Sequence, residues 1–268
     1  MSFTPEPAVR YDMPAVFGPS LMPPVTDVDN ATAVILSYES DPAAVAKLLP
    51  YHFKVADPAI VSISRISYPS TDYMGGRGYN EIVVLLTARY EGRGTAINAA
   101  FAPVLWVDQF GALFAGREFQ GLAKLTGELP TVEGQPDSDM RFHCSEYGAR
   151  LLEGEVRNLS PITGDKLEAV RKSSAAVPTF GWKYIPSCTG QPDADYPLVN
   201  YTRWRYAQAW SGEGSVRFMT PSASEAPFSA RVVAALAALP VRRWRRAFVG
   251  RGTVAIDRSM SRRLDTSD

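Results

Sequence analysis

Short runs of β-branched and aliphatic residues alternate along this chain with clusters of glycine, proline and polar residues, the pattern of strands separated by turns. Residues 31–38 (ATAVILSY) read as a buried strand. Ser40, Asp41 and Pro42 then put a capping side chain ahead of a proline in a first helical turn, and residues 43–49 keep helical apolar spacing up to Pro50. Residues 59–68 and 81–90, rich in Ile, Val and Ser, predict two strands of a hairpin or meander around the turn Gly75-Gly76-Arg77-Gly78. Residues 95–107 continue the β character, and 110–125 mix apolar with charged positions. Further strands are expected at 141–144, 149–157, 184–187, 198–210, 215–219 and 252–256, with one clear helix at 229–239. Residues 1–30, with six prolines and weak periodicity, predict an extended arm ahead of a single domain over 31–268.

Repeated strands with few helices favour an α+β or closed-barrel architecture over a doubly wound one. With 46% hydrophobic and 21% charged residues, the chain can bury a core without disulfides or metal. Its 28 basic and 28 acidic residues cancel, so no long-range field draws it to nucleic acid or an anionic membrane. The basic run Arg242-Arg243-Trp244-Arg245-Arg246 is the one local exception, read as a solvated or subunit-contacting stretch. No signal-peptide pattern opens the sequence and no apolar run is long enough to span a bilayer, so a cytoplasmic location is expected. Cys144 and Cys188 lie in no CxxC pair, and His143 beside Cys144 points to the opposite face of a strand, so no metal site is expected. Nucleotide-binding and hydrolase signatures such as GxGxxG, the P-loop, GxSxG and HExxH are absent.

Candidate chemistry centres on Lys124. The 28 basic residues comprise six lysines (47, 54, 124, 166, 172 and 183) and twenty-two arginines, so an ordinary surface cation here would more often be arginine. Lys124 also stands among Phe119, Leu122, Ala123 and Leu125, apolar walls that tolerate a neutral amine.

The segment from Val107-Asp108 through Gly116-Arg117-Glu118-Phe119-Gln120-Gly121-Leu122-Ala123-Lys124 resembles the acetoacetate decarboxylase signature, in which Gly-Arg-Glu leads through a glycine to a catalytic lysine. Supporting similarity lies at residues 38–50, at Tyr79-Asn80-Glu81, and at Lys183-Tyr184-Ile185-Pro186 with Gly190, Pro192 and Leu198-Val199, so the resemblance covers most of 31–210. It implies a mainly antiparallel, cone-shaped β-barrel with flanking helices, a homo-oligomer, and no organic cofactor or metal.

The chemistry so implied is a Schiff base between Lys124 and a keto acid, with the iminium as electron sink for loss of carbon dioxide. Such an amine must be unprotonated near neutral pH, although a free lysine holds its proton up to about pH 10.4; burial or a nearby cation achieves this. Acetoacetate decarboxylase is itself the standard example of a lysine activated in this way. Glu81 matches the family's active-site glutamate, able to move protons or orient the amine. Arg117, Glu118, Ser37, Tyr38, Tyr73 and Phe101 are the expected substrate-binding residues, with Met74 and Trp106 as further aromatic or thioether candidates for the pocket.

Two positions depart from the decarboxylases. Leu125 replaces the second lysine that follows the catalytic one, so burial must carry more of the activation. Ser37 stands before Tyr38 where the family has an arginine for the substrate carboxylate. The expected activity is therefore a keto-acid lyase, with two alternatives: a Schiff-base aldolase-dehydratase, or a binding protein that keeps the fold without the chemistry.

Overall fold

A computed structural model describes residues 3–92, 95–136 and 138–264; residues 1, 2 and 265–268 of the expected arm and domain lie outside the described residues. In chain order the elements are β1 (Val25–Glu39), α1 (Pro42–Ala46), β2 (Phe53–Val55), β3 (Ile60–Tyr68), β4 (Tyr79–Gly92), β5 (Thr95–Val107) and α2 (Phe110–Phe114). There follow β6 (Lys124–Thr126), β7 (Met140–Glu146), β8 (Ala149–Ile162), α3 (Gly164–Ser173), β9 (Val177–Ile185), β10 (Ala194–Phe218), α4 (Ala230–Ala237), β11 (Arg243–Trp244) and β12 (Ala247–Arg263). This is an α+β fold built on one twelve-stranded sheet.

Seven strands form a closed circuit. β1, β3, β4, β5, β9, β10 and β12 each pair with the next, and β12 pairs back onto β1. β8 and β7 extend outward from β10. The sheet is mixed, a correction to the mainly antiparallel expectation, because β5 runs parallel to both β6 and β9. Parallel neighbours need a crossover rather than a hairpin. Between β5 and β6 that crossover is helical: α2 leads into a π-helical turn at Ala115–Phe119.

Local chemistry explains the elements that were foreseen. The Asp41 side chain accepts a hydrogen bond from the Ala44 amide at 3.0 Å, capping α1 with Pro42 in its first turn. In α4, Ala230, Val233 and Leu236 are buried at helical spacing. β1 starts at Val25, six residues ahead of the expected strand, because a register shift between Val28 and Ala31 absorbs Asn30 at positive φ and lets pairing with β12 continue. The expected strands at 198–210 and 215–219 are one element, β10. α3 escaped the sequence pattern because it buries none of its residues and so has no apolar stripe to betray it.

Alternation along the strands separates two apolar regions. Val34, Leu36 and Tyr38 of β1, Ile82 and Val84 of β4, and Trp106 of β5 face outward into the larger core, which β7, β8 and α4 cover. Ala33, Ile66, Tyr79 and Leu105 face inward, into the circuit. The basic run lies on the outside: β11 pairs with the end of β1, Arg243 meets Glu39 at 2.6 Å, Arg245 meets it at 3.4 Å, and Arg242 pairs with Asp41. Trp244 packs edge-on against Tyr38 at 5.1 Å. Among the described residues, no helix is long and apolar enough to cross a membrane.

Candidate active site

Inside the circuit lies a cavity of about 230 Å³, walled by inward residues of β1, β3, β4, β5, β6, β9, β10 and β12. Both candidate catalytic residues open onto it. Glu81 projects inward from β4, opposite Val107 of β5, and Lys124 projects inward from β6, opposite Leu105 on the other edge of β5. The two side chains meet across β5, and Nζ of Lys124 donates to Oε2 of Glu81 at 2.7 Å. Their side chains are only 5% and 8% exposed, so this is a buried ion pair, with Nζ also 5.5 Å from the centre of the Tyr79 ring.

The segment before Lys124 sets this geometry. After the π-helical turn, the amides of Gln120 and Leu122 both donate to the Gly116 carbonyl, and Gly121 takes a left-handed conformation at φ +60°. A side chain at Gly121 would collide with Leu198 and with the backbone of Lys183. The reversal delivers residues 124–126 as a strand beside β5, and pleating does the rest. Lys124 enters the cavity while Leu125 packs against the outer core. π-helical turns often mark functional sites for this reason: they re-aim the chain that follows.

The remaining expected residues divide clearly. Tyr73 lines the cavity. Arg117 does not, yet its Nη1 donates to the Lys124 carbonyl at 2.9 Å and so holds the strand that carries the amine. Glu118 lies outside, beside Met13, Leu21 and Phe114 under the N-terminal segment. Ser37 is engaged with the Ser62 hydroxyl at 2.9 Å and is absent from the wall. Tyr38 cannot reach it, since strand alternation turns its ring into the outer core. Phe101 belongs to a separate cluster, 5.4 Å from Phe53. Met74 packs against the inner core without lining the cavity, and Trp106 is on the outer face, donating to Ser229 at 2.9 Å.

Several wall residues were not named as site candidates from the sequence, although Tyr79 and Gln120 lay within its quoted motifs. Tyr68 and Tyr79 are register partners on β3 and β4, with rings stacked 4.3 Å apart. Burial pushes the hydroxyls of both well above the ordinary phenol range, and raises Tyr73 to about 12. The cavity therefore presents neutral phenols beside the ion pair. Asn200, Gln120 and Arg258 add to its polar wall, with Ser64, Ser174, Thr179 and Thr202. The hairpin register could have found Tyr68 once Tyr79 was in view; Arg258 is one of twenty-two arginines and carries no local signal. Among the described residues no group of three His, Cys, Asp or Glu side chains could hold a metal ion.

The sequence profile described as Acetoacetate decarboxylase (ADC) matches residues 12–259, well beyond the 31–210 region of the resemblance and including most of β12. The chain is 32% identical over 218 residues to an acetoacetate decarboxylase of Chromobacterium violaceum, covering 79% of this chain and 78% of that one. Its fold is similar to a solved acetoacetate decarboxylase from Legionella pneumophila, with a TM-score of 0.73 at 19% identity, covering 92% of both chains. It is also similar to the enduracididine biosynthesis enzyme MppR in complex with pyruvate, with a TM-score of 0.70 at 20% identity, covering 96% of this chain and 98% of that one. Profile and relative show the family directly, and the chain belongs to the acetoacetate decarboxylase family.

Proposed function

We propose that this protein is a Schiff-base-forming lyase that acts on a β-keto acid or a related keto acid through Lys124. One observation carries the reading: an amine and a carboxylate 2.7 Å apart, both withdrawn from bulk water, on the wall of a cavity sized for a small molecule. In this reading Glu81 accepts the proton that the amine sheds. The amine attacks the ketone, water leaves, and an iminium forms. The bond to the carboxylate then breaks with its electrons flowing into the iminium, carbon dioxide departs, and the resulting enamine is protonated. Hydrolysis returns the amine.

A second reading, an aldolase-dehydratase, draws on the three neutral phenols of Tyr68, Tyr73 and Tyr79, which are proton donors suited to a leaving hydroxyl. The MppR neighbour, solved also with a condensation product of pyruvate and imidazole 4-carboxaldehyde, is consistent with such chemistry on this fold. The closed strand circuit supports reading the sheet as the family's cone-shaped barrel. A homo-oligomer in the cytoplasm, working without metal or organic cofactor, belongs to the same proposal, and the exposed, stacked Phe110 and Phe114 offer apolar surface for a second copy.

The test is borohydride trapping with acetoacetate, pyruvate and a longer keto acid, followed by peptide mapping. An adduct on Lys124 with gas release supports the lyase, and an adduct without gas supports the aldolase. No adduct with any carbonyl compound rejects both and leaves the binding-protein alternative.

A further inference from the structure

Besides Lys124 and Glu81, the cavity wall holds one more charged side chain, Arg258 of β12. It is only 4% exposed, and no carboxylate among the described residues forms an ion pair with it. Its Nη1 donates to the Pro23 carbonyl at 3.2 Å and to Oγ1 of Thr26 at 2.9 Å, and the Thr26 hydroxyl in turn donates to Asp72. The guanidinium sits over the Tyr73 ring, 5.0 Å from its centre, which fixes its plane. Nε has no partner, and Nη2 makes no hydrogen bond to the described residues. A buried cation held by neutral groups is expensive to keep unless something anionic meets it.

Nε is sealed against the protein, whereas Nη2, with no hydrogen bond to the described residues, is left to give an anion a charge-assisted hydrogen bond. A second unsatisfied group stands on the same wall. Asn200 gives its amide nitrogen to the Gln120 carbonyl at 2.9 Å, which fixes the amide orientation and leaves Oδ1 without a partner. The cavity thus offers a guanidinium with no ion-pair partner among the described residues and an amine with its carboxylate, amid apolar and phenolic walls that also carry the hydroxyls of Ser64, Ser174, Thr179 and Thr202. At about 230 Å³ it exceeds the ~150 Å³ that houses benzene.

We infer that Arg258 is the carboxylate-binding residue of this cavity, so that the ligand is a small oxo acid whose carboxylate pairs with the guanidinium and whose carbonyl faces Lys124. The carbonyl half rests on the Schiff-base reading, whereas the anion half rests on Arg258 alone. The arginine expected just before Tyr38 is replaced by Ser37, which lies off the wall; the cation enters from the last strand of the circuit instead.

The experiment compares acetoacetate with its methyl ester, a ligand of similar shape without the charge. In the natural protein the acid is trapped by borohydride in preference to the ester, and in Arg258→Gln the acid-to-ester ratio falls by about 10- to 100-fold, the range of a charged hydrogen-bonded contact. Arg258→Lys, which keeps a cation and a donor for Thr26, recovers part of the ratio and guards against a folding defect, as does thermal unfolding of both variants. Binding of the same two ligands to Lys124→Met, read by tryptophan fluorescence from Trp204 on the cavity wall, tests the anion half without any covalent step. An acid preference there that vanishes in Lys124→Met/Arg258→Gln keeps the arginine even if no adduct forms anywhere. An unchanged ratio in folded Arg258→Gln, or tighter binding of inorganic phosphate than of the oxo acid, overturns the inference.

Discussion

Gly116 lies so close against the stem of Lys124 that a Cβ at position 116 would stand 2.5 Å from Cε and 2.6 Å from Cδ. The glycine of the Gly-Arg-Glu triplet is thus a space through which the amine reaches the cavity. Its φ is not in the left-handed region, so the constraint is contact rather than backbone strain. Gly116→Ala should fold with a loss of about 1–3 kcal/mol from overpacking, while the rate of borohydride trapping falls at least about tenfold because Nζ is displaced. Trapping at the natural rate in the folded variant would show that the stem finds another path.

The buried pair itself should reveal its coupling. Removing one partner strands the other in the cavity wall, so Lys124→Met and Glu81→Gln should each destabilise, by up to about 3–5 kcal/mol. The double variant should be more stable than the sum of the two losses predicts. Chemical denaturation of the four proteins gives the cycle, and simple additivity would mean that the two groups do not depend on each other. Glu81→Gln should also slow adduct formation by about 10²–10⁴-fold, the usual worth of a positioned proton acceptor.

Restoring the second lysine should not help. Position 125 packs against the outer core next to Trp106, on the face of β6 opposite the cavity. Leu125→Lys therefore adds a charge to an apolar contact, costing about 1–3 kcal/mol, and supplies no cation to the site. A faster trapping rate in this variant, measured alongside its thermal unfolding, would contradict that geometry.

Alkaline pH should destabilise the protein through its buried phenols. Tyr73 titrates near 12 when folded and near 10 when unfolded, because burial disfavours the phenolate. Between those values the folded state holds a proton that the unfolded state has lost. The stability due to the neutral phenol is complete below pH 10 and falls by about 1.4 kcal/mol per pH unit until about pH 12. Urea unfolding from pH 9 to 12 should show this decline, and Tyr73→Phe should flatten it by one proton's slope. An identical slope in the variant would rule out Tyr73 as a contributor.

Tyr68 and Arg258 mark the limit of what residue patterns convey. Strands 31–38, 59–68, 81–90 and 95–107 were legible because β-branched residues alternate or cluster there, and α1 because Asp41 and Pro42 announce its start. Lys124 and Glu81 were legible because the glycines around the lysine and the tyrosine before the glutamate form a recognisable order. Tyr38 and Phe101 misled for one reason: membership of a strand near the site does not say which face a side chain takes, and each turned into another cluster.

What the amino-acid order determined by itself was local: where strands run, how α1 is capped, and which lysine stands in a tight, glycine-bounded approach. Only the tertiary structure decided that β12 closes the circuit from the far end of the chain, placing Arg258 on the same wall as Glu81 and Lys124. That difference is physical. Propensity, capping and turn chemistry act over a few residues, whereas a cavity is made by the pairing register of strands from opposite ends of the chain, and a shift of one residue in any of them would turn its side chains to the other face.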